Sequence, residues 1–373
     1  MPSPTASHPE VRLRPVRILV DSFADAGLTN AQMTNAREII RRLNPKRFHV
    51  SVFHQAQPDP EIVERPNTRL IRLPRRRQTI RILQEFVLGR HEILFYLKSA
   101  PASKLYLQWR QRWMDRRIVM ATIESQSDLR NEPTVSAEAV QLWEETILRS
   151  DLLFSNSYQV QQSLKRQYGL PSDVVPTGVD TKFFYPAPDR PRNARPRVLF
   201  VGSLRPFKQP QLLLDAAAQF PQADFFIVGE GPMARELKDR VEGENLANAF
   251  LPGAMGAADL GQEYRKADIF LFPSAWEGSP KVILEAAASG LPVIARNTYQ
   301  PETVINRQTG FLAGSDHELF TRLQELLDCP DLRQSLGQAG RKHSERFDWD
   351  IITRRWEGIF LRWSSQQAAD RVA

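Results

Sequence analysis

Short apolar runs alternate along this chain with longer stretches whose apolar residues recur at helical spacing, and that alternation limits the fold more than any other feature. Arg17 to Val20 reads as a buried strand. A loop holding Gly27 follows it, then a helix from about Gln32 to Leu43 with Ala36, Ile39, Ile40 and Leu43 on one face. Further strands are expected at Val50 to Phe53, Arg69 to Leu73, Ile118 to Ile123, Leu152 to Phe154 and Asp173 to Val175. Between Tyr185 and Pro196 the prolines Pro186, Pro188, Pro191 and Pro196 stand among charged residues, as they would in a linker. After it the rhythm restarts. Strands are expected at Val198 to Val201, Phe225 to Val228, Ala249 to Leu251, Ile269 to Phe272 and Val293 to Ala295. Helices are expected at Pro210 to Gln219, Met233 to Val241, Leu260 to Lys266 and Lys281 to Ser289, with a final pair after them. Strands that alternate with helices imply a parallel sheet covered on both faces. The expected fold class is therefore α/β, with two doubly wound, Rossmann-like parallel-sheet domains, residues 1–190 and 191–347, facing a central cleft. Ligands are expected at the carboxyl ends of the strands.

The length of 373 residues fits two to three domains at about 150 residues each. Apolar residues at 42% and charged residues at 25% exclude a disordered, collagenous or coiled-coil chain. No apolar run approaches the roughly 18 residues of a spanning helix. The opening MPSPTASHPEVRLRPVRILV has no apolar signal core, and Cys329 has no partner cysteine, so the expected location is the cytoplasm.

Charge is unevenly placed. The net charge is +7, and a division at residue 190 gives +8 to the first part and −1 to the second. Between Arg65 and Arg117 there are 14 basic residues and only Glu85, Glu92 and Asp115 as acids, with Phe86, Phe95, Tyr96, Tyr106, Trp109 and Trp113 interleaved. One reading is a solvated helix face. The other is a surface for anionic lipid or an anionic acceptor, with Arg75, Arg76, Arg77 and Arg81 supplying charge and Trp109 and Trp113 supplying interface-seeking rings. Nucleic acid is the weakest candidate partner.

The densest chemical signal is FPSAWEGSPKVILEAAASGLPVIA, Phe272 to Ala295. Ser279 is expected to cap a helix that begins at Pro280, leaving the N–H groups of Lys281 and Val282 at a positive helix end suited to phosphate. Glu285 lies further along that helix, roughly 7 to 8 Å at 1.5 Å per residue, where a carboxylate suits a ribose whose diphosphate rests on the helix end. Glu277 falls in the loop just before, within reach of a substrate hydroxyl. Upstream, VLFVGSLRPFKQP ends a strand at Gly202 and carries Arg205 and Lys208 into the loop, two cations placed to neutralise a diphosphate. Taken singly, each of these residues also reads as ordinary hydrated surface. Asp348-Trp349-Asp350 resembles a metal-binding pair, but Asp348 is equally suited to capping a helix. The six histidines show no metal-ligand spacing, and no P-loop, HExxH or GxSxG motif occurs.

From Val198 to Phe347 the ordered series resembles the retaining glycosyltransferases of family 4, which have the two-domain GT-B fold. The residues that carry it are the strand-Gly202-loop-Lys208 segment, GEGP at Gly229 to Pro232, LPG at Leu251 to Gly253, and the pair Glu277 and Glu285. ASGLPVIA, Pro301-Glu302 and TGFL at Thr309 to Leu312 complete the series. TGVDTKFFYP, Thr177 to Pro186, is similar to the family's interdomain passage. The resemblance implies a final segment, 348–373, whose helix crosses back to the N-terminal domain. It also implies a metal-independent, retaining transfer of a sugar from a nucleoside diphosphate sugar to a hydroxyl acceptor, lipid-linked or a growing glycan, with no cofactor. The enzyme would be cytoplasmic, with peripheral contact at an anionic membrane face.

By that resemblance Lys208 stabilises the diphosphate, Glu277 contacts the donor sugar and Glu285 holds the ribose. Gly202, Ser203, Gly253, Gly278, Ser279, Pro280, Lys281, Val282 and Ile283 complete the donor side. The chain departs from the family in having Ser203 where an arginine usually follows the glycine, which makes Arg205 the candidate substitute. In the N-terminal half it has Gly27 alone in place of a glycine pair, and Glu124 in place of a histidine, as the acceptor-side candidates. The rival reading is a sugar-nucleotide-binding protein of this fold with impaired catalysis.

Overall fold

The computed structural model describes residues 14–27, 31–124, 135–187 and 193–370. Every strand pairing recorded among them within the two main sheets is parallel. The first sheet contains β1 (Val16–Phe23), β2 (Phe48–His54), β3 (Thr68–Arg72), β4 (Ile93–Phe95), β5 (Ile118–Ile123), β6 (Leu152–Ser155) and β7 (Asp173–Val174). Its order is β3-β2-β1-β4-β5-β6-β7. The second contains β8 (Arg197–Val201), β9 (Asp224–Val228), β10 (Ala249–Gly253), β11 (Ile269–Phe272), β12 (Val293–Arg296) and β13 (Gly310–Ala313), in the order β10-β9-β8-β11-β12-β13. Strands covered on both faces read as continuous apolar runs rather than as alternation. Ile269, Phe270, Leu271 and Phe272 of β11 are accordingly all buried, as are Val293, Ile294 and Ala295 of β12.

Two strands went unread in the sequence. β4 is three residues long and β13 four, too short for a periodic signal, and both are defined by the neighbours they join: β4 pairs with β1 and β5, and β13 with β12. Among the described residues three α-helices, not a final pair, follow β13, at Asp316–Asp328, Pro330–Ser344 and Trp349–Asp370. The first two are separated by Cys329 alone, because Pro330 fits a first helical position but not an interior one.

Contacts divide the chain into two compact units. Among the described residues the first holds those up to Thr122, 135–153 and those from Thr353; the second holds Ile123, Glu124 and those from Phe154 to Ile352. The boundary expected at residue 190 lies outside the described residues. In the first unit, Trp356 and Phe360 of the last helix pack on Phe95, with ring centroids 4.7 and 5.0 Å away, and Phe360 also meets Phe48 at 6.0 Å. The same helix takes the Asn44 N–H on Glu357 Oε1 at 2.7 Å and donates from Ser364 Oγ to Glu92 Oε2 at 2.6 Å. The core of the second unit runs through Phe200, Phe225, Phe270 and Phe272 beneath Leu213, Leu319 and Leu323.

The basic, aromatic segment resolves into two populations. Phe86, Phe95, Tyr96 and Tyr106 are core side chains, and Trp109 stacks on Tyr106 at 6.0 Å, so most of the interleaving is packing. Arg69 and Arg81 both pair with the buried Glu85, and Arg117 donates to the carbonyls of Phe86 and Val87. Arg75, Arg76 and Arg77 are exposed, and so are Leu88, Trp113 and Met114. No helix among the described residues is long and apolar enough to cross a membrane.

Candidate functional site

In the second sheet the chain builds β9 and β10 on one side of β8, then crosses to place β11 on the other. Loops that leave the carboxyl ends of β8 and β11 therefore diverge, and a doubly wound sheet binds its ligands at such a switch point. Lys208 comes from the first of these loops and Glu277 from the second. The structure brings them together: Lys208 Nζ forms an ion pair with Glu277 Oε1, and both side chains are largely buried. Ser274 Oγ donates to the same oxygen at 2.6 Å. Among the described residues no hydrogen bond is made to Glu277 Oε2, and two of the three lysine N–H bonds remain for other acceptors.

Local sequence explains why the loops meet. Pro206–Lys208 is a single 3-10 turn ended by Gln209 in the left-handed region (φ 51°). Phe207 stacks on Trp276 with centroids 4.4 Å apart, and the Ala275 N–H donates to Phe207 O at 2.7 Å. A buried arginine at the end of β12 completes the arrangement. Arg296 donates from Nε to Pro273 O at 3.3 Å and from Nη2 to Gln209 Oε1 at 3.1 Å, and it pairs with Asp316. It thus holds the root of the Glu277 loop against the residue that follows Lys208.

The loops beyond β8, β9 and β10 are tied by main chain. Leu204 N–H donates to Glu230 O at 2.8 Å, Met233 N–H to Leu204 O at 3.0 Å and Gly229 N–H to Gly253 O at 3.0 Å. A Cβ at Gly229 would stand 1.9 Å from Gly202 O, and one at Gly231 would stand 2.5 Å from Leu204 O. Both glycines also have φ near +150°, so only glycine lets these strands' loops approach so closely. Ser203 and Arg205 are exposed in the same turn, and the Arg205 carbonyl accepts the Lys208 N–H at 3.0 Å.

The helix that follows Glu277 begins one residue later than expected. Pro280 is the capping residue, in extended conformation, and the helix is Lys281–Ala288; Ser279 makes no side-chain cap. Proline supplies no side-chain acceptor, so the capping residue makes no side-chain bond to the first turn of this helix. The N–H of Ile283 is taken by Pro280 O at 3.1 Å, and its side chain is in the core. Glu285 is partly buried and accepts a hydrogen bond from Tyr264 Oη at 2.9 Å. Burial raises the Glu285 carboxyl above the ordinary glutamate range, against the Tyr264 bond and the Lys281 charge, which both lower it. Burial likewise holds Tyr264 protonated, well above an ordinary phenol. Glu285 shares no hydrogen bond with Lys208 or Glu277.

Of the acceptor-side candidates, Gly27 is exposed with open space at its Cβ position. Glu124 meets the loop of Gly278 through its main chain. Its carbonyl accepts from Asn156 Nδ2 at 3.3 Å, and a Cβ on Gly278 would lie 2.0 Å from that oxygen. Asp348 takes the N–H of Asp350 at 2.8 Å and bonds to Thr181, a capping pattern.

Residues 183–343 match the family model of glycosyl transferases group 1. The matched segment contains every residue of the Lys208–Glu277 arrangement described above. Sulfoquinovosyl transferase of Arabidopsis thaliana is 33% identical over 165 residues, covering 43% of this chain and 32% of that protein. D-inositol 3-phosphate glycosyltransferase of Corynebacterium glutamicum is 31% identical over 257 residues, 61% of each chain. The chain thus spans about three-fifths or less of the length of these curated relatives. Among solved structures, sucrose-phosphate synthase from Thermosynechococcus elongatus superposes with a TM-score of 0.78 at 21% identity, over 95% of this chain and 100% of that one. Anabaena HepE, solved with UDP and glucose, gives 0.73 at 18% identity over 92% and 98%. The fold is of GT-B type.

Ser274, Tyr264 and Arg296 escaped sequence reasoning. Ser274 stands in a loop with no periodicity. Tyr264 and Arg296 belong to other elements, and only the fold places them beside Glu285 and Gln209.

Proposed function

We propose that this chain is a retaining, metal-independent glycosyltransferase that moves a sugar from a nucleoside diphosphate sugar to a hydroxyl acceptor. The observation that carries the reading is the Lys208–Glu277 pair at the switch point of a sheet whose residues match glycosyl transferases group 1. In this reading residues 191–347 bind the donor, 1–190 the acceptor, and 348–373 return to the N-terminal domain.

Negative charge grows on the diphosphate as the sugar leaves. A preorganised cation there is worth about 10²- to 10³-fold in rate. Lys208 supplies it, and Arg205, exposed in the same turn, adds the second charge that Ser203 cannot. Glu277 accepts from a sugar hydroxyl through Oε2 while Lys208 and Ser274 hold Oε1. Glu285, fixed by Tyr264, accepts from the ribose, and the N–H groups after Pro280 face the phosphates. Attack by the acceptor on the face the diphosphate leaves needs no second carboxylate as nucleophile. The two cations do the work a metal would do on the diphosphate, and Asp348 is engaged in capping. The UDP bound in HepE makes UDP-sugars the first donors to try. Contact with an anionic membrane, and a lipid-linked or anionic glycan acceptor, are supported by the exposed Arg75, Arg76 and Arg77 and the exposed Leu88, Trp113 and Met114.

The test is a thermal-shift panel of UDP-, GDP- and ADP-sugars followed by transfer and donor-hydrolysis assays with and without EDTA. A ligand at 100 times its Kd adds about 2.7 kcal/mol of stability. One donor is expected to stabilise the chain, activity to survive EDTA, and Lys208→Ala to lower kcat about 10²-fold or more with a smaller change in donor KM. Equal turnover by the variant rejects the role of Lys208. Donor binding with neither transfer nor hydrolysis favours the catalytically impaired reading.

A further inference from the structure

The first sheet has its own switch point, between β1 and β4, and a lysine and a carboxylate meet there too. β1 pairs with β4 as far as Val20, and its register with β2 shifts between Val20 and Phe23, so Asp21 and Ser22 occupy an irregular turn of the strand. Asp21 is buried, and its Oδ2 accepts the main-chain N–H of Lys98 at 2.9 Å. Lys98 reaches that position because the chain beyond β4 bends at Tyr96, which holds φ 61° in the left-handed region although it is not a glycine. Non-glycine residues held in this region are concentrated at functional sites.

The two switch points differ in how the lysine is satisfied. Lys208 touches the carboxylate of Glu277. The Lys98 ammonium instead lies over the Phe23 ring, 4.0 Å from its centroid, and among the described residues it forms no hydrogen bond or ion pair. The Asp21 carboxylate attracts it but is committed to the main-chain N–H. A half-buried ammonium over an aromatic ring keeps its three N–H donors available to an acceptor. Two features close by in the chain accord with an anion. The helix Pro101–Trp113 opens just beyond with Ala100 as a capping residue that has no side-chain cap and with no acid in the first turn. The Ser22 hydroxyl, next in the chain to Asp21, is buried with no hydrogen-bond partner among the described residues.

We propose that Lys98, with the first N–H groups of the Pro101–Trp113 helix, binds an anionic oxygen group, a phosphate or carboxylate, and that this group belongs to the acceptor. Asp21 positions the lysine by accepting its main-chain N–H. That the ligand is the acceptor rests on the glycosyl-transfer reading; that the site binds an anion does not. The placement agrees with the +8 charge of the first 190 residues, which would draw such a molecule toward this half.

The experiment uses the full chain saturated with UDP, so that the nucleotide site is filled, and titrates inorganic phosphate, inositol 3-phosphate and uncharged inositol by calorimetry. Both phosphates are expected to bind and inositol is not. Lys98→Gln should weaken both at least tenfold, Lys98→Arg should keep most of the affinity, and UDP affinity should be unchanged in each variant, which also reports that they fold. In the wild-type protein, phosphate should protect Lys98 from amine acetylation, read by mass spectrometry. Phosphate binding that survives Lys98→Gln, the lack of any phosphate binding under saturating UDP, or Lys98 acetylation indifferent to phosphate each overturns the site. Lys98-dependent phosphate binding in a protein without transferase activity keeps the site and rejects the functional reading. Transfer to inositol as fast as to inositol 3-phosphate rejects the assignment to the acceptor.

Discussion

In the proposed function Glu285 serves binding at the expense of the fold. Its carboxyl is pushed up by burial, so the folded protein favours the protonated form. That contribution to stability is present at low pH and is lost as pH rises through the raised value. A carboxylate that accepts from ribose must be ionised, and nucleotide affinity should therefore fall on acidification at a higher pH than an ordinary glutamate would give. Glu285→Gln keeps the shape and the Tyr264 bond but carries no charge at any pH. It is expected to lower nucleotide affinity about tenfold, in line with the greater strength of bonds to charged groups, and to leave the Tm at pH 7.5 equal or higher. Calorimetry and a thermal melt on the same sample check both. A fall in Tm with unchanged affinity would assign Glu285 to the fold alone.

At the scale of elements, the site is a matter of how three strand ends are laced. Gly202, Gly229 and Gly253 each end or follow a strand, and main-chain hydrogen bonds join the loops beyond them. Gly229→Ala must displace either its own loop or that of Gly202, because the added Cβ would lie 1.9 Å from a carbonyl oxygen at a φ of +148°. The expected cost is about 1 to 3 kcal/mol by urea denaturation, with weaker nucleotide binding, since the displaced turn leads into Lys208. Gly243→Ala is the control: it sits at a helix end with open space around it and should change stability by less than about 0.5 kcal/mol.

For the whole molecule, net charge is less informative than where the structure spends it. Much of the basic surplus is used inside the first unit, on Glu85, Asp151 and main-chain carbonyls. Arg75, Arg76 and Arg77 remain exposed at the start of the helix Gln78–Leu88. Each basic residue near an anionic surface contributes about 1 kcal/mol, so replacing all three with serine should weaken binding to phosphatidylserine vesicles about 100-fold while sparing nucleotide binding. Sedimentation at 50 mM and 300 mM salt reads this. A wild-type protein that stays in the supernatant at low salt removes the membrane from the proposed function.

Sequence alone determined the alternation of strands and helices, the parallel sheets and the residues that bear charge beside strand ends. These follow from local rules: buried parallel strands need continuous apolar runs, amphipathic helices need a 3.6-residue period, and close loop approaches need glycine. Lys208, Glu277 and Glu285 were legible because they stand in an ordered series of motifs. The tertiary structure decided what each of them touches. It joined Lys208 to Glu277 across a strand crossover and seated Tyr264 on Glu285 from another helix. It turned most of the aromatic residues near the arginines inward, and it left Lys98 beside Asp21 without an ion pair among the described residues. β4 and β13 belong to the same class, because a strand of three or four residues is specified by its neighbours in the sheet. Such contacts depend on strand order, which brings together residues far apart in the chain and leaves no periodic trace in either segment.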